Sequence, residues 1–171
     1  RYAEGYQKHL RVILKEPIGQ SITSRPRTQY REPGTYDWEK RHREILNQIK
    51  TAPPTTVLIG NSITHYWGGQ PKAPVARGEQ SFSKTFGSKG VINLAYGWDR
   101  AENALWRVYH GELDGYSARN ILINIGTNNL HLNTDQEIAE GWRLLIAAIK
   151  ERQPQANITM VGIYPRREKE A

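Results

Sequence analysis

The first residue whose position suggests chemistry is a serine that follows a glycine turn at the end of an apolar run. Residues 56–59 (T-V-L-I) read as a buried parallel strand, Gly60 ends it, and Ser62 comes two positions later. A strand, a tight turn and a helix start would place the Ser62 hydroxyl at the carboxyl edge of a sheet, where open α/β sheets bind their ligands. Taken alone, G-N-S is equally typical of a turn with an ordinary helix cap.

Two further strand ends carry residues that could assist a nucleophilic serine. Gly97 follows the strand-like residues 91–96, and Asn128 follows residues 121–125. A serine hydroxyl can attack an acyl carbon, while a backbone N–H at a glycine and a side-chain amide can donate hydrogen bonds to the resulting oxyanion. Each residue also has a plain explanation as a cap, a turn or a loop residue. Because Ser62, Gly97 and Asn128 occur at successive strand ends, we expect them to form half of an acyl-transfer site.

Side chains beside these positions could line a substrate pocket. Core packing is the alternative for the aromatic residues, and helix capping is an alternative for Asp99. The residues expected to contact substrate are Asn61, Tyr96, Trp98, Asp99, Arg100 and Asn129. The spacing of histidines and carboxylates does not indicate a metal site, and no cofactor is expected.

Helices and strands alternate along the chain that must position these residues. Apolar periodicity and capping signals predict helices near residues 37–50, 63–67, 99–109 and 135–152. Short apolar runs predict strands at 56–59, 91–96, 121–125 and 158–164. This order indicates a doubly wound α/β domain, whose parallel sheet has helices on both faces. Asp99 with Glu102, and Thr134 with Glu137, are the predicted caps of the last two helices.

Composition is that of an ordinary globular domain of 171 residues with 37% hydrophobic residues and no cysteine. Residues 1–36 hold seven basic and three acidic residues and so carry +4 of the net charge of +7, while the rest is scattered along the chain. No nucleic-acid motif accompanies this charge, and no apolar run approaches the length of a membrane span. Residues 1–36 are expected to form an arm, and residues 37–171 the domain. The start at Arg1 suggests a processed or incomplete chain. The sequence does not determine the compartment, although an extracytoplasmic location is favoured over a cytoplasmic one.

The three strand-end motifs together resemble the sequence blocks of the SGNH hydrolases, the GDSL-type esterases and lipases. G-N-S at 60–62, N-L-A-Y-G at 93–97 and G-T-N-N at 126–129 are similar to the first three blocks of that family. Residues 105–113 (L-W-R-V-Y-H-G-E-L) and 152–156 (R-Q-P-Q-A) are most similar to its branch of platelet-activating-factor acetylhydrolase catalytic subunits.

This resemblance implies a flavodoxin-like three-layer α/β/α fold with Ser62 as the nucleophile. It implies an oxyanion hole formed by the N–H groups of Ser62 and Gly97 and the side-chain amide of Asn128. It also implies that homodimers can form. The expected function is hydrolysis of short-chain, acetyl-type oxygen esters of a carbohydrate or a lipid through an acyl-serine intermediate.

Two departures from the family pattern bear on catalysis. Asn61 stands where the family has Asp, and the family's fourth signature, D-x-x-H, is absent up to Ala171. The expectation is therefore a chain that stops before the family's last strand and helix, without its catalytic Asp and His. His65 and His131 are the substitutes to consider for the base, although helical neighbours such as Ser62 and His65 rarely align as nucleophile and base. The alternative function is a non-catalytic binding module, because a serine without its base retains little of its rate.

Overall fold

A computed structural model describes residues 22–87 and 89–165 of the chain. The first 21 residues of the predicted arm, together with residues 166–171, lie outside the described ranges. Within those ranges no helix combines the length and the apolar character needed to cross a bilayer.

Among the described residues four parallel strands form one sheet, which confirms the predicted α/β class. The strands are β1 (Thr56–Gly60), β2 (Val91–Ala95), β3 (Asn120–Asn124) and β4 (Asn157–Met160). Their order across the sheet is β2-β1-β3-β4, the flavodoxin-like doubly wound arrangement. Gly60 is in register with Ala95 on one side and with Asn124 on the other. The three loops that carry the predicted site therefore leave the sheet at the same level.

Five helices of the described chain connect and cover the strands. They are α1 (Trp38–Thr51), α2 (Ser62–His65), α3 (Glu79–Phe86), α4 (Ala101–Tyr109) and α5 (Asp135–Arg152), with 3-10 turns at Ile22–Ser24 and Thr127–Asn129. The Asp37 side chain caps α1 by accepting a hydrogen bond from the Lys40 N–H over 2.8 Å. Thr134 and Glu137 form the predicted reciprocal capping box of α5, at 3.3 and 3.0 Å.

The main core lies on one face of the sheet, between the strands and the helices α1, α4 and α5. It contains Ile45, Ile49, Val57, Ile59, Ile92, Leu94, Leu105, Val108, Ile121, Ile123, Leu144, Leu145 and Ile149. On the opposite face Leu58 is buried, whereas Leu122 is half-buried and Thr159 is exposed. Helices therefore lie on both faces of the sheet, as predicted, and the second face is open beside β3 and β4 within the described residues.

Three local predictions differ from the structure. The strand predicted at 158–164 is shorter, because pairing with β3 ends at Met160. Helix α3 was not predicted, since a single buried aromatic side chain, Phe82, anchors it against Trp67 and gives little apolar periodicity. Asp99 is not a helix cap: the N-cap of α4 is Arg100, whose N–H donates to the Asn103 side chain over 2.9 Å.

The described part of the arm packs on the domain. The Thr23 hydroxyl donates to the carbonyl of Glu137 over 2.5 Å, at the start of α5. The Asn103 amide of α4 donates to the carbonyl of Arg27 over 2.9 Å. Gln29 is buried and reaches the loop after β2. Residues 22–36 are thus bound to the same loop that carries the second predicted site motif.

Candidate active site

A cleft of about 950 Å³ lies at the carboxyl edge of the sheet, and its size suits a small-molecule ligand. Its lining includes Glu32, Ser62, Tyr66, Trp67, Arg77, Trp98, Arg100, Leu122, Asn128, His131, Val161 and Tyr164. The structure therefore brings Ser62 and Asn128, two of the three predicted catalytic residues, to one cavity. Trp98 and Arg100, predicted to contact substrate, line it as well.

Ser62 is the first residue of α2 and is half-buried. The turn before it depends on Gly60, where an added Cβ would lie only 2.7 Å from the Thr64 hydroxyl. Asn61 is completely buried, and its side-chain oxygen accepts a hydrogen bond from the Ile63 N–H over 2.9 Å. Asparagine can cap this turn as aspartate does, because the bond needs only a side-chain oxygen. The predicted substrate contact of Asn61 is corrected, since the residue lies under the turn and not in the cleft.

The Gly97 peptide makes hydrogen bonds on both of its sides. Its N–H donates to Nδ1 of His65 over 2.9 Å. Its carbonyl accepts from the Gln29 amide over 3.0 Å and from the Tyr36 hydroxyl over 2.7 Å. Gly97 does not line the cleft, and its N–H is taken by the hydrogen bond to His65 in this structure.

Asn128 links the third predicted motif to the second. Its side-chain nitrogen donates to the carbonyl of Asp99 over 2.9 Å, and Arg100 Nε donates to the Asn128 carbonyl over 3.1 Å. A primary amide nitrogen carries two hydrogens, so one N–H of Asn128 remains for a ligand in the cleft.

Three further residues predicted to contact substrate are completely buried and do not reach the cleft. The Tyr96 hydroxyl donates to the Glu112 carboxylate inside the core. Asn129 accepts from the Ala101 N–H over 3.1 Å, which fixes the start of α4. The third residue, Asp99, accepts from Trp38 Nε1 over 2.8 Å. The polar atoms of these three residues make hydrogen bonds inside the protein that hold the loops in place. The predicted contact of these residues with substrate is therefore corrected.

A buried ionic network, not predicted from the sequence, supports the loop after β2. Arg107 donates to Asp99 over 2.9 Å, to Glu112 over 2.6 Å and to the carbonyl of Leu94 over 2.7 Å. Burial raises the pKa of Asp99 to about 6, although Arg107 opposes this shift. For Glu112 burial acts in the same direction, but Arg107 and His42 outweigh it and lower the pKa. Arg107 and Glu112, the charged residues inside the otherwise mostly apolar run L-W-R-V-Y-H-G-E-L, are the sequence feature that could have indicated this network.

Neither histidine close to the cleft is arranged as a base for Ser62. His65 is buried, and its Nδ1 already accepts the Gly97 N–H. Burial, helped by the charges of Arg41 and Arg107, lowers the pKa of His65 to about 2, so the ring is neutral. His131 is exposed on the cleft rim.

Glu32 is a cleft residue that the sequence did not point to, because it lies in the arm. Its carboxylate accepts a hydrogen bond from the Tyr66 hydroxyl over 2.7 Å. Both side chains line the cleft, so the arm supplies part of the cavity wall. No periodicity or motif marks an arm residue for such a position.

Comparison with known proteins gives concordant results. Residues 58–170 match the model of the GDSL-like Lipase/Acylhydrolase family. The chain is 30% identical over 132 residues to the Homo sapiens platelet-activating factor acetylhydrolase IB subunit alpha2, covering 77% of this chain and 53% of that protein. It is 26% identical over 129 residues to the Bos taurus subunit alpha1, covering 75% and 51%. The chain thus spans about half the length of the curated relatives it matches.

A solved structure supports the fold independently. It is a Streptococcus pneumonia protein described as a candidate platelet activating factor, and it superposes with a TM-score of 0.60 at 22% sequence identity. The superposition covers 98% of this chain and 64% of the other. At this level of identity the similarity establishes a common fold.

Proposed function

The chain belongs to the GDSL-like lipase/acylhydrolase family, and we propose that it acts as a serine esterase with Ser62 as its nucleophile. The observation that carries the proposal is the single cleft lined by both Ser62 and Asn128. Ser62 Oγ would bond to the ester carbonyl carbon, the C–O bond to the alcohol part would break, and the proton of the Ser62 hydroxyl would pass to the leaving oxygen, giving the acyl-serine and a free alcohol. Water would then hydrolyse that intermediate and release the acid.

The proposed substrate is a short-chain oxygen ester, with acetyl as the acyl group. The relatives' printed names, acetylhydrolases, support the acetyl group for this chain. Aromatic side chains of Tyr66, Trp67, Trp98 and Tyr164 line the cleft and can stack on a sugar ring, while Glu32 can accept hydrogen bonds from its hydroxyls. These walls favour an acetylated carbohydrate over a lipid as the alcohol part.

A non-catalytic binding module is the second candidate function. The observation that favours it is the state of the two nearby histidines: His65 is engaged by Gly97, and His131 is exposed on the rim. A cleft of this kind could hold an acylated ligand without cleaving it.

Release of acetate and p-nitrophenolate from p-nitrophenyl acetate distinguishes the two candidates. We expect a purified full-length form of the protein to turn over this ester, and Ser62→Ala in that form to lose the activity. Ser117→Ala is the matched control, because Ser117 is exposed and does not line the cleft. Equal turnover rates for the full-length form and its Ser62→Ala variant would contradict the esterase proposal. Saturable binding of an acetylated sugar without turnover would support the binding module instead.

A further inference from the structure

Glu32 is an acidic residue that the arm brings to the wall of the cleft. Its Oε2 accepts a hydrogen bond from the Tyr66 hydroxyl over 2.7 Å. The same carboxylate lies directly against the Gly97 backbone, where an added Cβ would overlap it. The N–H groups of Thr35 and Tyr36 donate to the Glu32 carbonyl over 3.0 and 3.2 Å. Because its side chain and its backbone are both held, the charge of Glu32 has a fixed place in the wall.

Within residues 22–87 and 89–165, no cation neutralises the Glu32 carboxylate, because no Lys, Arg or His side chain forms an ion pair with it. The neighbouring cations of the arm are bound elsewhere. Arg27 pairs with Glu102 at 3.5 Å, and Arg31 donates to the Asn103 side chain. A half-buried charge without a partner is costly, so a cationic ligand beside Glu32 would relieve that cost.

Two arginines also line the cleft, and neither offsets the charge of Glu32. Arg100 Nε donates to the Asn128 carbonyl over 3.1 Å, and Arg100 Nη1 lies 3.9 Å from the buried carboxylate of Glu102. The charge of Arg100 is therefore balanced within the protein. Arg77 is exposed, and water screens a charge at such a position. The Glu32 carboxylate thus remains available to a cation that enters the cleft.

Aromatic side chains on the same wall add to this preference for a cation. Tyr66 is hydrogen-bonded to Glu32, Trp67 follows Tyr66 in the chain, and both line the cleft. Trp98, which follows Gly97, has a φ of +61° and is 50% exposed at the cleft. The faces of aromatic rings attract ammonium groups, and a carboxylate attracts them more strongly in a cleft than in open water. The wall therefore favours a positively charged group over a neutral group of the same size.

We propose that Glu32 is a specificity-determining residue, which selects esters whose alcohol part carries a positive charge. The class of substrate that meets this requirement is an O-acetylated amino sugar with a free ammonium group. Its ring would stack on the aromatic walls, and its ammonium group would pair with Glu32. An acetylated sugar acid would be disfavoured, because its carboxylate and that of Glu32 repel each other. This selection rests on the proposed function, since it concerns which ester the site hydrolyses.

Two esters of the same shape test the selection by charge. They are 6-O-acetylglucosamine and 6-O-acetylglucose, which differ only in an ammonium or a hydroxyl group at C2, remote from the ester that is cleaved. At about pH 6.5 the amine is protonated. We expect a purified full-length form of the protein to hydrolyse the amino sugar with a kcat/KM about 5- to 10-fold higher. High salt should reduce this preference, because ions screen the attraction between the charges.

Glu32→Gln removes the charge and keeps an oxygen that can accept the hydrogen bond from the Tyr66 hydroxyl. The ratio of the two kcat/KM values should fall to about one in this variant. Glu44→Gln is the matched control, because it removes the same charge from an exposed position of α1 outside the cleft. Its ratio should equal that of the unmodified protein. A general loss of structure would lower both kcat/KM values together, so the ratio reports the selection itself.

Binding to Ser62→Ala separates this proposal from the proposed function, because it does not require turnover. The fluorescence of Trp67 and Trp98 in the cleft measures the dissociation constants of the two esters. Tighter binding of the amino sugar that is lost when Glu32→Gln is added supports the selection, even if hydrolysis proves independent of Ser62 and the proposed function fails. Equal dissociation constants, no measurable binding of either ester, or a preference that persists in Glu32→Gln would overturn the selection and leave Ser62 as the nucleophile.

Discussion

Arg107 Nη1 donates a hydrogen bond to Glu112 Oε2 over 2.6 Å, and both side chains are 1% exposed. The same guanidinium also pairs with the buried carboxylate of Asp99. Charges inside a protein are costly unless they are paired and hydrogen-bonded, so these three side chains depend on one another. The backbone between Leu94 and Asp99, which carries the second site motif, is fixed at both ends by Arg107.

We expect Arg107→Met to lower the free energy of unfolding by about 3–5 kcal/mol, because two buried carboxylates would lose their cation. Urea unfolding followed by tryptophan fluorescence measures this change. Arg143→Met is the matched control, since Arg143 forms a partly exposed pair with Glu140 and such pairs contribute about 1 kcal/mol or less. Similar losses in the two variants would show that the buried network is not a major source of stability.

The neutral state of His65 makes a prediction about pH. The pKa of His65 is lowered to about 2, whereas an unfolded histidine titrates near 6.5, so the unfolded chain binds more protons between these values. The contribution of His65 to the free energy of unfolding therefore falls as pH decreases from about 6.5, by up to about 1.4 kcal/mol per pH unit. Replacing this histidine by a residue that does not titrate should remove that part of the pH dependence.

Between pH 6.5 and pH 5, we expect the free energy of unfolding of His65→Gln to fall by about 2 kcal/mol less than that of the unmodified chain. Urea titrations at the two pH values measure the difference. His131→Gln serves as the control, because His131 is exposed on the cleft rim. If His65→Gln kept the full pH dependence, the ring would be charged in the folded chain, contrary to its contact with the Gly97 N–H.

The close approach of the arm to Gly97 predicts a steric effect. Gly97→Ala should lower the free energy of unfolding by about 1–3 kcal/mol, because the new methyl group would overlap Glu32. Gly34→Ala is the control, since a Cβ there has no neighbour within 4 Å. Combining Gly97→Ala with Glu32→Ala should restore part of the loss if the two residues are in contact. Strict additivity of the two changes in urea unfolding would argue against the arm lying on Gly97.

The elements that the sequence specifies locally were predicted well. Helix α5 has both its capping box and its apolar stripe within its own residues, and its observed bounds, Asp135–Arg152, match the prediction. The strand ends were also predicted, because an apolar run followed by Gly60, Gly97 or Gly126 marks where a buried strand stops. Ser62 and Asn128 therefore reach the same cleft, as the order of motifs indicated.

The direction of individual side chains at those strand ends could not be predicted. Whether Tyr96 or Trp98 faces the cleft depends on the backbone turn at Trp98, which no local pattern specifies. Glu32 reaches the cavity only because the arm crosses the loop after β2, a contact between residues distant in sequence. Asp99 has the spacing of a helix cap, but its carboxylate pairs with Arg107, eight residues later, inside the core.

The left-handed conformation of Trp98 makes the last prediction, which concerns the backbone alone. Trp98→Gly and Trp98→Ala remove the same half-exposed indole, but only glycine accepts a φ near +61° without a steric cost. The glycine variant should therefore have a free energy of unfolding about 1 kcal/mol higher than the alanine variant.

Urea unfolding of the two variants under the same conditions measures this difference. The comparison cancels the packing lost with the indole, because both variants lose it. Ser117, which is exposed outside the cleft and has no positive φ, provides the control pair of glycine and alanine. There the order should reverse, because glycine loses more backbone entropy on folding where it gains no conformational advantage. If the alanine variant were the more stable one at position 98 as well as at position 117, residue 98 would not be held in the left-handed region in solution.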